Sequence, residues 1–193
     1  MEDTQSNNII LPNTQTDEII MVNNQNIKLK PDEINVVIYH SPCLDGSASR
    51  YVAERYFKEN NIQVEYYGMQ INDPLPENFK NKNILVCDYS FSYSIIQNLL
   101  LNNNRILILD HHTTNEQELS TISECYKVFD KTKCGAYLTF KYFYPTLPVP
   151  KLIMYVQDHD LWQHKLNKTK EIKEYMFDNG GKTTIKSKSS GTF

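Results

Sequence analysis

Three short apolar runs in this chain each end on residues that ligate metals. Val36-Val37-Ile38-Tyr39 leads into His40 and Asp45, Ile84-Leu85-Val86-Cys87 into Asp88, and Ile106-Leu107-Ile108-Leu109 into Asp110, His111 and His112. With Asp158 further along, they form a mixed carboxylate and imidazole set, which suits manganese or a similar first-row divalent ion better than calcium or a thiolate-bound zinc. Several carboxylates sharing one crevice repel one another, and cations relieve that repulsion. Two ions about 4 Å apart can share a carboxylate and lower the pKa of a water enough to supply a nucleophile near neutral pH. Such a pair is the standard apparatus for in-line attack on phosphorus, because the attacking and leaving oxygens both need their negative charge stabilised.

Such residues act together only if the backbone brings them to one place. Val/Ile/Leu runs without alternation are the mark of strands buried on both faces of a parallel sheet, and ligands in such sheets bind beyond the strands' carboxyl ends. From residue 34 the elements alternate. The first strand is followed by a helix over 47–60, where Ala48, Val52 and Tyr56, with Ala53 and Phe57, recur at helical spacing until Asn60-Asn61 stops them. Gly46 marks a sharp strand-to-helix turn. Strands follow at 62–69, 84–87, 105–109 and 126–129, and helices at 92–102, 116–124, 134–144 and 151–164. The fold class expected is α/β, a mainly parallel sheet with helices on both faces.

Composition bounds the rest. The 193 residues, 40% of them hydrophobic, provide one core of ordinary size. Residues 1–33, rich in Asn, Gln and Thr, read as a disordered polar tail with an added edge strand near 19–22; 34–166 read as the catalytic-type domain and 167–193 as a basic helix and tail. No run reaches the roughly 18 apolar residues of a membrane span, and the N-terminus lacks the order of a secretion signal, so a soluble, cytoplasmic protein is expected. Cys43, Cys87, Cys125 and Cys134 show no CxxC spacing, so neither a zinc ribbon nor a disulfide framework is indicated. Residues 1–130 carry 9 basic against 18 acidic side chains and 131–193 carry 11 against 5. An acidic front suits divalent cations, and the chain lacks the overall basicity of a dedicated duplex binder.

Taken together, five segments carry a resemblance. Asp110-His111-His112, His40-Ser-Pro-Cys-Leu-Asp45-Gly46-Ser, Asp88-Tyr-Ser, Cys134-Gly-Ala-Tyr-Leu and Asp158-His-Asp-Leu-Trp162 resemble, in the same order, the motifs of the DHH phosphoesterases. The match spans roughly 34–165. That superfamily includes single-strand exonucleases, oligoribonucleases, cyclic-dinucleotide phosphodiesterases, exopolyphosphatases and family II inorganic pyrophosphatases. The resemblance implies a site for two Mn2+ ions. In it Asp88 is the bridging carboxylate, Asp45, His111 and Asp158 hold the second ion, His40 belongs to the first, His112 contacts the scissile phosphate, and Asp110 is the motif's leading acid. Two departures accompany it. Cys43 stands where the usual motif has Asp, which alters the first metal site, since a thiol ligates manganese poorly whereas a thiolate holds zinc or iron. The C-terminal substrate domain of the family, marked by a Gly-rich segment and a histidine, is expected to be missing, since Gly180-Gly181 leads to Lys182 and not to His.

The function expected is a divalent-metal-dependent phosphoric ester hydrolase acting on a phosphomonoester, short nucleotide or oligonucleotide, with a second copy or a partner chain completing the cleft. The competing expectation is a catalytically weak or inactive module of the same fold that binds nucleotide and metal. A receiver-type fold shares acidic strand ends but leaves the paired histidines and Asp158 unaccounted for. Trp162, four residues after Asp158, is expected to pack its helix down.

Overall fold

The computed structural model describes residues 28–76, 79–102 and 104–178. Its centre is a five-stranded, all-parallel sheet in the order β2-β1-β3-β4-β5, built from β1 (Val36–His40), β2 (Glu65–Met69), β3 (Asn83–Cys87), β4 (Arg105–Asp110) and β5 (Lys127–Phe129). The unbroken apolar runs are explained by two-sided burial. Val37, Leu85, Leu107 and Leu109 point into one core cluster, while their neighbours Val36, Ile38, Ile84, Val86, Ile106 and Ile108 point into a second on the opposite face.

Helices close both faces. α1 (Leu44–Glu59) packs Val52, Ala53 and Phe57 into the first cluster, joined there by Phe140 and Phe143 of α4 (Gly135–Phe143) and Ile153 and Val156 of α5 (Lys151–Asp160). The second cluster is covered by Ile96 and Leu99 of α2 (Tyr93–Leu101) and Leu119 of α3 (Glu116–Ser120). A last helix, α6 (Thr169–Asp178), packs on α5. Because α1 and α2 lie on opposite faces, the chain reverses its direction of travel across the sheet between β1 and β3. In doubly wound sheets such a reversal opens the crevice where ligands bind.

The expected α/β class with helices on both faces is what the molecule shows, with shifted boundaries. α1 begins three residues earlier than the apolar period suggests, so Gly46 lies inside its first turn; a Cβ there would stand 2.0 Å from the His40 carbonyl oxygen. That close approach seats the helix's amino end against the end of β1. The helix stops where expected, Asn61 taking a φ of 55°. α5 ends at Asp160 and not at 164. The packed body starts before residue 34: Leu29 is only 3% exposed, and the Tyr142 hydroxyl donates to its carbonyl at 2.5 Å. The edge strand expected at 19–22 and the Gly180-Gly181 segment lie outside the described residues. Among the described residues, no helix is long and apolar enough to cross a membrane.

Candidate metal centre

Sheet register assembles the first part of the site. Tyr39 pairs with Cys87 and Cys87 with Leu109, so the next residues along three adjacent strands are His40, Asp88 and Asp110. The apolar rows end together and the polar residues begin together at the β1–β3 crevice. Asp88 turns there with a φ of 54° while its N–H still bonds the Leu109 carbonyl at 2.9 Å. This left-handed turn, which Asp tolerates better than most residues, sets its carboxylate between two groups of side chains.

On one side of Asp88 stand His40 and Cys43. Their ligand atoms and one Asp88 oxygen lie within 4.8 Å of one another. His40 Nδ1 is 3.6 Å from Asp88 Oδ2, and neither of these buried atoms has a hydrogen-bond partner. Buried polar atoms are rarely left without one, since each costs about 1–3 kcal/mol. A cation between them would satisfy both.

The other side is built around His111. Its Nε2 lies 3.1 Å from Asp88 Oδ1, 3.4 Å from Asp160 Oδ2 and 3.5 Å from Asp45 Oδ2. One imidazole nitrogen has one proton or one lone pair, so it cannot hydrogen-bond three carboxylates brought to it by β3, α5 and α1. Donors around one ion at roughly 2.0–2.2 Å do sit roughly 3–3.5 Å apart, and that is the spacing seen. Asp45 is held in place from behind: Gly135 N–H donates to its Oδ2 at 2.5 Å and Ala136 N–H to its Oδ1 at 2.8 Å, at the amino end of α4. Gly135 is required, because a Cβ would stand 2.5 Å from that of Asp88.

Electrostatics point the same way. Burial, reinforced by the charges of Asp88 and Asp160, pushes the Asp45 carboxyl well above its usual range, and burial raises Asp160 as well. Burial would raise Asp88 too, but the His111 and His40 rings outweigh it and hold that carboxyl below the usual range. Burial, with Asp88 beside it, pushes the Cys43 thiol up to about 12. Crowded acids that resist ionisation lack positive charge, and divalent cations are what such a set accommodates.

Two expected ligands have other tasks. Asp158 does not face the cluster: its Oδ1 accepts Lys165 N–H at 2.8 Å, and its Oδ2 accepts Leu166 N–H at 3.2 Å and the Thr169 hydroxyl at 2.5 Å. Both oxygens tie down the turn between α5 and α6, and Asp160, two residues on, reaches the site instead. Asp110 is likewise absent from the groups of side chains close enough to share an ion, which besides those above include Asp88, His111 and His112. Its Oδ1 accepts from His112 Nδ1 at 2.7 Å, and its Oδ2 accepts the Ser90 hydroxyl at 2.5 Å and the Asn115 amide at 3.2 Å. It orients His112 and raises that ring's pKa to about 9, chiefly through this hydrogen bond. A carboxylate behind a site histidine fixes its tautomer and leaves Nε2 for the cleft. Trp162 also departs from expectation, standing past the end of α5 with a φ of 52° and 79% exposed.

Beside this centre lies a cleft of about 260 Å³, lined by His40, Asp88 and His112 together with Tyr89, Phe91 and Asn115 among others. Among the described residues, no Lys or Arg lines it.

No family model matches the chain. It is 32% identical over 165 residues to an uncharacterized protein, R106, of Acanthamoeba polyphaga mimivirus; the match takes in 76% of this chain but only 38% of that protein's length. The crystal structure of an uncharacterized protein from Helicobacter pylori G27 superposes with a TM-score of 0.51 at 19% identity, over 68% of this chain and 45% of the other. That likeness is one of fold.

Proposed function

We propose that this chain is a DHH-type, divalent-metal-dependent phosphoesterase that hydrolyses a phosphomonoester or a short nucleotide. The observation that carries the reading is Asp88, whose Oδ2 faces His40 and Cys43 while its Oδ1 faces His111 in the company of Asp45 and Asp160. A carboxylate with a donor group on each side is what a two-ion site requires. Two Mn2+ ions, or similar, would supply charge neutralisation and a water of lowered pKa when bound.

The protein's own groups do the rest. Asp45 and His111 fix the inner side of the centre, and α4 prevents Asp45 from swinging away. His112, held by Asp110 and protonated near neutral pH in the metal-free chain, is placed to donate from the cleft side to a phosphoryl oxygen. Tyr89 and Phe91 give the cleft an apolar wall for the organic part of the ester. Without a basic lining, the cleft suits one phosphoryl group better than a polyphosphate chain, whose further charges would meet Asp73 and Glu118.

The test is a manganese titration of the full chain against bis-p-nitrophenyl phosphate, a phosphomonoester and short oligonucleotides. Metal-stimulated turnover of at least one is expected. Folded protein that binds manganese but turns over none of them would favour a nucleotide- and metal-binding module instead.

A further inference from the structure

The two halves of the centre differ in donor chemistry. Around His111 the other donors are carboxylate oxygens of Asp45, Asp88 and Asp160 and the His112 ring, a nitrogen–oxygen set without sulfur that suits manganese. Around His40 the third donor is the sulfur of Cys43.

The geometry points to His40, Cys43 and Asp88 as a nitrogen–sulfur–oxygen site for a thiophilic divalent ion of the zinc and ferrous class, so that the centre carries two unlike metals. This rests on the two-ion reading above. Cys43 by itself would carry nothing; the second observation is Asp88, 1% exposed, with Oδ2 unpartnered and aimed at the same point as the unpartnered His40 Nδ1. Their 3.6 Å separation matches the edge of a tetrahedron whose donors lie roughly 2.0–2.3 Å from its centre. Three protein donors leave one position open, the pattern of catalytic and not structural sites, and His40 and Asp88 both line the cleft from which a phosphoryl oxygen would enter it. Cys43 is positioned by the start of α1: it is the residue before the helix, in extended backbone, and its carbonyl accepts from Ser47 N–H at 3.0 Å. Disulfide formation does not compete, since all four cysteines are free.

The experiment uses the full chain, stripped with a chelator and titrated anaerobically with Co2+, a probe whose bonds to thiolate give a near-ultraviolet charge-transfer band. One equivalent of band-forming cobalt is expected from a total of two bound. The band should vanish in Cys43→Ser and persist in Asp160→Asn, with far-ultraviolet circular dichroism showing that both fold. In competition, Cys43→Asp should reduce the preference of this site for Zn2+ or Fe2+ over Mn2+ by at least about 10-fold. Two bound cobalt ions without the band, or a band unchanged in Cys43→Ser, overturns the inference and leaves the two-ion reading standing. Less than one cobalt bound per chain overturns both.

Discussion

Two neighbouring acids on one helix end, Asp158 and Asp160, have the same chemistry and opposite employment. Asp158 spends both oxygens on backbone and hydroxyl donors of the turn that follows. Asp160 turns its carboxylate towards His111 and the other acids and pays no heed to that turn. Burial of an acid is therefore no guide to its task here: Asp158 is the more buried of the two. What separates them is whether nearby N–H and O–H groups already satisfy the charge. The same contrast holds at the strand ends, where Asp110 is fully engaged by His112, Ser90 and Asn115 while Asp88 keeps one oxygen without a partner.

The sharpest way to break the contrast is at Asp88. Asp88→Asn should abolish two-ion binding and lower turnover by about 10³-fold or more, read by metal content and by steady-state rates, because both halves of the centre lose a shared charge. Next comes the helical pair. Asp160→Asn should weaken metal binding about 10- to 100-fold with little loss of stability in the metal-free chain, whereas Asp158→Asn should leave metal stoichiometry intact and cost about 1–3 kcal/mol in denaturant unfolding. If the two variants exchange these outcomes, the assignment of Asp160 is wrong. Asp110→Asn is a milder change. It should keep both ions and lower turnover about 10- to 100-fold by freeing the His112 ring.

The smallest effect is on pH. In metal-free protein the folded pKa of His112 is raised from 6.5 to about 9, so the protonated ring is favoured by folding; this contribution is complete below pH 6.5 and is lost as pH rises through 9. The melting temperature of stripped protein should fall over that window, and His112→Gln should flatten the fall. A decline that survives the substitution would assign it to another group.

How much of this was legible in the residues depends on what positions each side chain. The placing of His40 and Asp88 at strand ends could be read because unbroken apolar runs mark strands buried on both faces, and a run such as Ile84 to Cys87 can end its burial in only one place. Asp45 was identifiable as a site acid, but not the α4 amino end that clamps it 90 positions later. The choice between Asp158 and Asp160 could not be made from spacing. A helix continued to 164 puts Asp158 and Trp162 on one face, whereas the observed helix stops at Asp160 and Trp162, His164 and Lys168 all take positive φ. At that stop Asp158 accepts from Lys165, Leu166 and Thr169 in the turn that follows, partners that helical spacing does not encode. The partners of Asp110 are no more legible, since Ser90 reaches it from the end of another strand and Asn115 from the turn after its own.

The clamp on Asp45 has one more consequence. Its two oxygens accept from two main-chain amides of α4, and Gly135 keeps that helix end in van der Waals contact with Asp88. On the two-ion reading proposed above, ions would enter and leave a pocket whose shape is set by the main chain and not by its contents.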